Sequence, residues 1–493
     1  MQNPSSLETY FEKFREGVVG IDTFFQSPIG RQRIVYTDWT ASGRLYEPIE
    51  RRLRQDFGQY VANTHTETNV TGSLMTHAYH DAKLIIKAHI NANNDDVLLM
   101  VGSGMTGAVN KWLRILGLRV PEKWRNLIKI ADEDRPVVFI THMEHHSNQT
   151  TWLETIAIVE IIQPNEECLV CLESLQILLE KHKNRAVKIA AITACSNITG
   201  IQTPYHAIAA AMHQAGGVCF VDFACSAPYM PIDMHPENPD ERLDAIYFSP
   251  HKFLGGPGAA GVLVFNKSFY KLKTPDHPGG GTVKWTNPWG GHSYLDDIES
   301  REDGGTPPFM QTIQTALCIR LKEKMGVENI IAREHELVNS FLPELKAIAG
   351  VNVLAEAHAD RLPIFSFYIT DLHYNLGVRL LNDYFGIQVR GGCSCAGTYG
   401  HYLLNVDKAF SDSITCQIDV GDLSSKPGWI RLSMHPTTTL KELEYCLYAI
   451  RQLAANFGTL GKDYLYNKFT NDFELTTSTD NFAKQKAIEL LKL

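Results

Sequence analysis

Apolar residues in this chain gather in short runs that stop at glycine-rich or polar turns, with stretches of three- and four-residue apolar spacing between them. Leu7, Phe11, Phe14 and Val18 recur at helical spacing and predict a helical N-terminal arm over residues 1–30. Ile34 to Gly43 reads as a short strand entering a small-residue turn, and Thr76 to Asn91 as helix. From there a rhythm sets in. Val97–Val101 is an apolar run ending in Gly102-Ser-Gly-Met-Thr-Gly107, followed by an amphipathic helix carrying Val109, Trp112, Leu113 and Leu116. Pro136–Ile140 is the next strand and Leu172–His182 the next helix; Val187–Thr193 is again a strand. Thr203 and Pro204 are expected to open a helix as N-cap and first-turn proline, closed by Gly216. Strands at 217–222, 245–248 and 260–265 follow.

Strands alternating with helices predict an α/β fold with a large, doubly wound, mostly parallel sheet covered on both faces. Ligands of such sheets bind beyond the carboxyl ends of the strands. Five strand ends here carry polar groups: Ser103 with Thr106, His145, Asn197, Asp222 and Lys252. Beyond Phe265 the passage 275–291 is rich in Gly and Pro. Helical patterns over 311–345 are expected to lead into a second, smaller α+β domain holding strands at 351–354 and 364–369. The expected division is an arm over 1–30 packing with the small domain, a large domain over 31–310, a small domain over 311–456 and an extension over 457–493. No internal repeat or low-complexity segment interrupts it.

Composition narrows the function. The 493 residues are 44% apolar and 20% charged, as in a soluble globular protein. A formal charge of -9 argues against nucleic acid or an anionic membrane as the main partner. No stretch approaches the ~18 apolar residues of a membrane helix. The first residues lack a basic-then-apolar signal, and Glu8 with Glu12 disfavours a transit peptide, so a cytoplasmic location is expected. The ten cysteines then read as reduced thiols. Cys168 and Cys171 have metal-like spacing, but no second pair answers them; core packing is expected there, and no metal site.

Each polar strand end has an ordinary reading and a chemical one. Lys252 alone would be a solvated lysine; facing a pocket, it could form an imine with an aldehyde. Ser103, Gly104, Met105 and Thr106 open a helix whose unpaired N–H groups could hold a phosphate, with Ser249 and His251 reaching in from the lysine loop. Asp222 could be only a helix cap, yet a buried carboxylate would keep a ring nitrogen protonated. His145 could stack on a flat cofactor and exchange protons rather than merely pack. Asn197 could hydrogen-bond a phenolic oxygen or simply form an Asx-turn. Taken together these groups specify pyridoxal 5'-phosphate.

On these motifs the chain resembles the class V aminotransferase group of fold-type I pyridoxal-phosphate enzymes, and within it the cysteine desulfurase/selenocysteine lyase branch, over roughly residues 30–450. Gly102-Ser-Gly-Met-Thr106 resembles the phosphate turn, Met143-Glu-His-His-Ser-Asn148 the stacking-histidine motif and Ser196-Asn-Ile-Thr-Gly200 the asparagine segment. Val221-Asp-Phe-Ala224 is similar to the pyridinium-aspartate strand, and Ser249-Pro-His-Lys252 to the Schiff-base lysine motif. The resemblance implies that Thr282 reaches the phosphate of a partner subunit, hence a homodimer. It implies that Cys395, in Val389-Arg-Gly-Gly-Cys-Ser-Cys-Ala396, is the persulfide-forming nucleophile, and that Arg431, with Arg390, clamps the substrate carboxylate. A bidentate guanidinium suits that task, and nearby positive groups activate a loop thiol.

The implied reaction removes sulfur from L-cysteine. Lys252 takes the α-proton, Cys395 attacks the substrate sulfur, and alanine leaves a persulfide on Cys395 for an acceptor protein. Alternatives are an aminotransferase or β-lyase of the same group that makes no use of the thiol, and a non-catalytic thiol scaffold dimer. Cys225 stands where many relatives have glutamine. Cys393 gives a Cys-x-Cys pair resembling the loop of molybdenum-cofactor sulfurases, so either thiol could carry the persulfide. Residues 399–428 look like an insertion, and 457–493 lies beyond the resemblance.

Overall fold

The computed structural model describes residues 6–102, 104–476 and 482–492. The chain folds into two compact units: Ser42–Ser196 with Gln202–Ile331, and Met1–Ala41 with Asn197–Ile201 and Ala332–Leu493.

The first unit is built on a seven-stranded sheet. Its strands are β1 (Asp96–Val101), β2 (Val137–Thr141), β3 (Ile158–Ile162), β4 (Lys188–Thr193), β5 (Val218–Asp222), β6 (Ala245–Phe248) and β7 (Gly261–Asn266). They lie in the order β1-β7-β6-β5-β4-β2-β3. Strands β3, β2, β4, β5 and β6 pair in parallel, while β7 runs antiparallel to both β1 and β6. Every residue of β2, β4 and β6 is buried, which explains why these strands are continuous apolar runs rather than alternations. The helix Gly104–Ile115 lays Ala108, Val109, Trp112 and Leu113 on the sheet, Trp112 stacking on Phe265 at 4.5 Å between ring centroids.

The sequence reading passes over β3. Glu160 breaks its apolar run, and the strand lies half-buried at the sheet edge, where Glu160 accepts from Lys181 and His182 at 2.6 and 2.8 Å. The helix expected from Thr203 starts at Tyr205 with Pro204 as its N-cap residue; the Thr203 hydroxyl donates instead to the Thr193 carbonyl at 2.6 Å. Gly216, at φ +70°, does follow its end. Cys168 and Cys171 are half-buried rather than core residues, and the Cys171 sulfur accepts from Ser174 N–H at the start of helix Leu172–Lys181. None of the ten cysteines forms a disulfide.

In the second unit a four-stranded antiparallel sheet contains β8 (Val351–Val353), β9 (Ile364–Ile369), β10 (Arg390–Gly392) and β11 (Trp429–Ser433), ordered β8-β9-β11-β10. Its core joins Phe341, Phe365, Phe367, Leu380, Ile430 and Ile450. The N-terminal helix Ser6–Arg15 belongs to this unit, anchored by Arg15 on Glu442 at 2.6 Å.

The unit boundaries differ from those expected at 30/31, 310/311 and 456/457. Residues 31–41 fall in the second unit because Val35–Tyr36 pairs with Ile387–Gln388 and Ser433 N–H donates to the Thr37 carbonyl at 2.7 Å. Helix Phe309–Met325 stays in the first unit, where its Ile313 and Ala316 pack with Met75 and Ala82. The long helical stretch breaks at Gly326, whose φ of +75° a helix cannot continue. Beyond 456, helix Leu440–Leu460 runs on without a break, and the hairpin Tyr464–Asn467/Asp472–Leu475 buries Tyr464 and Phe473 in the second unit's core. The stretch 399–428 takes in most of helix Gly397–Leu403 and all of helix Lys408–Asp419, with turns between and after them.

Candidate functional site

Within the first unit, the turn after β1 begins its helix at Gly104, whose φ is +60°. The positive φ favours glycine, and a Cβ on Gly104 would press on Ser249 Oγ at 3.0 Å. Ser249 Oγ accepts from Met105 N–H at 2.8 Å, tying the lysine loop to the helix N-terminus. Thr106 is exposed in the same first turn, its hydroxyl 2.8 Å from that of Ser147. Ser103 lies outside the described residues.

His145 follows β2 and caps helix His146–Leu153: its Nδ1 accepts from Ser147 N–H at 3.1 Å. A neutral ring so held carries its proton on Nε2. Beside it Glu144 is fully buried and accepts from Thr141 Oγ1 (2.6 Å), Asn148 Nδ2 (2.7 Å) and Thr193 N–H (2.9 Å). Burial pushes its carboxyl up to about 7 against those donors. Tyr247 from β6 donates to Asn148 Oδ1 at 2.7 Å, completing a buried brace beneath the His145 turn. Sequence reasoning passed over this brace; its signal was Glu144 within the Met143–Asn148 motif.

Asp222 ends β5. Its Oδ1 accepts from Ala224 N–H at 2.8 Å, and burial raises its carboxyl to about 6, opposed by that N–H and by the nearby Lys252 charge. Lys252 itself ends a 3₁₀ turn, Pro250–Lys252, that Pro250 initiates after β6. His251 is pushed down to about 4 by burial and by the same lysine charge. Its carbonyl accepts from Gly43 N–H at 2.9 Å. Thr282 is buried, its hydroxyl donating to the Gly279 carbonyl at 2.7 Å.

This donor set fits pyridoxal 5'-phosphate. A buried carboxylate whose ionised form is penalised gains from an adjacent N–H cation, which a pyridinium supplies. The glycine-opened helix N-terminus with Thr106 and Ser249 suits a phosphate, and Lys252 and the Asp222 carboxylate interact within one unit.

Within the second unit, the register of β10 and β11 sets Arg390 directly opposite Arg431. Both reach Asp38. Arg431 Nη2 donates to Asp38 Oδ1 at 2.9 Å, and Arg390 Nε and Nη2 donate to Oδ2 at 3.1 and 3.0 Å. Burial works against the Arg390 charge, but Asp38 and Cys395 raise its pKa overall. Arg431 Nη1 donates to the Asn197 carbonyl at 3.1 Å, and Asn197 Nδ2 to the Ser394 carbonyl at 2.7 Å.

With one amide hydrogen of Asn197 given to Ser394, its Oδ1 is left as an acceptor. That oxygen suits an N–H or O–H donor, a phenolic hydroxyl among them. Three buried polar atoms here have no hydrogen-bond partner among the described residues: Arg431 Nε, Asn197 Oδ1 and Ser394 Oγ. Such atoms are uncommon in folded proteins, and together they mark a place built for a polar ligand. Ser394 and Cys395 both adopt positive φ, +48° and +60°, and Cys395 is exposed. Cys393, at the start of the same turn, is half-buried, and its carbonyl accepts from Ala396 N–H.

Similar proteins share this fold and sequence. A relative from Halalkalibacterium halodurans named "Probable cysteine desulfurase" is 29% identical over 367 residues, covering 74% of this chain and 84% of its own. One of the same name from Staphylococcus aureus is 27% identical over 372 residues, covering 75% and 84%. Among solved structures, an apo cysteine desulfurase from Thermococcus onnurineus superposes with a TM-score of 0.70 at 23% identity, covering 86% of this chain and 95% of its own. One from Escherichia coli does so at 0.68 and 20%, covering 92% and 98%. These place the fold among the fold-type I pyridoxal-phosphate enzymes. Residues 35–446, which hold β1 to β11, the lysine turn and the arginine pair, match the family model described as aminotransferase class-V. The chain is therefore a member of the class-V aminotransferase family and a pyridoxal-phosphate enzyme.

Proposed function

We propose that this enzyme is a cysteine desulfurase that converts L-cysteine to L-alanine and leaves the sulfur as a persulfide on Cys395. The observation that carries the reading is the β10 turn. One strand presents Arg390 opposite Arg431 and, three residues past its end, an exposed thiol held at positive φ beside an arginine charge. Strained backbone at an exposed nucleophile is costly unless the position of the sulfur matters. An aminotransferase has no use for it. The names of the two relatives agree.

Bound pyridoxal 5'-phosphate would supply an electron-withdrawing ring that acidifies the substrate α-carbon. The chain's residues do the rest. Gly104, Met105, Thr106, Ser249 and His251 would hold the phosphate, His145 would lie against the ring, and Asp222 would keep the ring nitrogen protonated. Arg431 and Arg390 bind the substrate carboxylate, and Asn197 Oδ1 accepts from a protonated group nearby. Lys252 Nζ takes the α-proton and returns it to the α-carbon once the carbon–sulfur bond has broken. Cys395 Sγ, as thiolate, forms a bond to the substrate sulfur as the carbon–sulfur bond breaks; the electron pair goes to carbon, which is protonated to give alanine. The persulfide then passes to a thiol acceptor. We extend the proposal to a cytoplasmic homodimer; for Thr282 to reach the partner's phosphate, its buried hydroxyl would have to leave the Gly279 turn. In support, the hairpin Val283–Thr286/His292–Tyr294 beside it exposes Trp285 and Trp289.

An amino-acid panel scored for alanine and sulfide tests the function. With excess dithiothreitol present to reduce the persulfide, L-cysteine should yield both in equal amounts, and Cys395→Ser should keep the cofactor's visible absorption while losing persulfide. Lys252→Ala should lose turnover and release the cofactor on dialysis. Unchanged activity in Cys395→Ser would refute the proposal.

A further inference from the structure

Asp38 is the one residue of the arginine cluster to which the sequence assigned no role. It is held firmly. The Thr37 carbonyl accepts from Ser433 N–H at 2.7 Å, Thr40 N–H donates to Ser433 Oγ at 3.0 Å, and the Tyr36 hydroxyl donates to the Asp38 carbonyl at 3.2 Å. The carboxylate, only 14% exposed, is thus fixed between two guanidiniums and gives one oxygen to each. Two positive charges against one negative leave a single positive charge uncompensated. That charge sits where Arg431 Nε still has a hydrogen to donate.

We infer that Asp38 is a specificity-determining residue: it lowers the charge of the arginine pair so that the site accepts amino acids with one net anionic group and disfavours those with a second anionic group on the side chain. The inference rests on the desulfurase reading for the identity of the substrate, but not for the charge selection itself. L-cysteine meets the requirement, since its thiol is mostly neutral at pH 7. L-cysteine sulfinate and L-aspartate carry a second negative charge. With Asp38 neutralised, Arg390 would be free to pair with that second group, and discrimination between substrates is a difference of affinities.

The test compares kcat/KM for L-cysteine sulfinate and L-cysteine, both followed by alanine release, in the holoenzyme and in Asp38→Asn. The sulfinate-to-cysteine ratio should rise by about tenfold in the variant, chiefly through KM for the sulfinate, the change that ~1.4 kcal/mol produces. Adding Arg390→Gln to Asp38→Asn should bring the ratio back to within about twofold of wild type, because the charge count is restored. A merely structural role would lower both substrates in parallel; a ratio unmoved in a folded, cofactor-bound Asp38→Asn overturns the inference.

A second measurement needs no variant. Propionate should protect the wild-type protein from thermal unfolding at least as well as succinate, and tighter protection by succinate, by about tenfold, overturns the inference. If the wild type forms neither alanine nor sulfide from L-cysteine, the desulfurase reading fails, and the propionate–succinate comparison still decides the role of Asp38.

Discussion

Gly261→Ala should damage the cofactor cradle from outside it. A Cβ at 261 would stand 2.2 Å from the Gly104 carbonyl oxygen, 2.4 Å from its carbon and 2.7 Å from its Cα. All three are backbone atoms, so no side chain can swing aside. A real Cβ approaches no heavy atom nearer than 3.0 Å, so an opening of about 0.8 Å is required, the difference from 2.2 Å. Strand β7 cannot supply it, because residues 261–266 are registered on β1 and residues 262–265 on β6. The helix N-terminus must move instead, and with it the Met105 N–H bond to Ser249 Oγ. Overpacking costs about 1–3 kcal/mol and a lost buried hydrogen bond about 1 kcal/mol, so roughly 2–4 kcal/mol is expected in all. Displacing the phosphate-binding N–H groups should also weaken cofactor affinity by about tenfold or more, given how steeply such sites depend on position. Melting temperature and a pyridoxal 5'-phosphate titration of the apoprotein measure the two effects. Gly102→Ala is the control in the same turn, since a Cβ there meets nothing within 4 Å. If Gly261→Ala matches Gly102→Ala in both assays, the argument from backbone contact is wrong.

The pH dependence of the cofactor-free protein follows from Asp222. Its folded carboxyl titrates near 6 against an ordinary 3.8, so its contribution to stability is full below 3.8 and is lost as pH rises through 6. About two units correspond to roughly 3 kcal/mol; Asp222→Asn should flatten that part of the melting profile between pH 4 and 7, while Glu144 keeps a slope of the same sign. Coincident wild-type and variant slopes would refute this. For the proposed dimer, sedimentation of the holoenzyme should give twice the chain mass and Trp289→Asp, at a side chain 88% exposed in the single chain, should weaken it; a single-chain mass at micromolar concentration would remove the dimer.

What was legible in the sequence follows from where each signal is stored. Strands buried on both faces show as unbroken apolar runs, so β1, β2, β4, β5, β6 and β7 could be placed; β3, half-exposed and broken by Glu160, could not. Motif residues at strand ends were legible because one local turn both orients the side chain and restricts the residue types around it, as Pro250 does for Lys252 and Gly104 for Met105 and Thr106. The unit boundaries were not, because they depend on pairings between distant segments: Val35–Tyr36 with Ile387–Gln388 draws residues 31–41 away from the strands that follow them. Thr203 looked like an N-cap because Thr-Pro usually is one, but its hydroxyl found the Thr193 carbonyl first.

The second unit's cluster shows the limit most sharply, because its parts are ordinary taken one at a time. Asp38 lies after a two-residue strand, Asn197 in a small-residue turn, and Arg390 and Arg431 are separated by forty residues that include the two helices at 397–403 and 408–419. No local pattern says that two arginines will be cross-strand partners; the β10–β11 register does, and shifting it by one residue would send Arg431 to the other face. The cost of placing two like charges together is what makes Asp38 necessary: like charges directly opposite on a sheet destabilise it, and a shared carboxylate converts repulsion into a bridge. Fold stability and substrate choice then draw on the same three side chains. A substitution at Asp38 should therefore alter both, and the ratio between substrates is what separates the two effects.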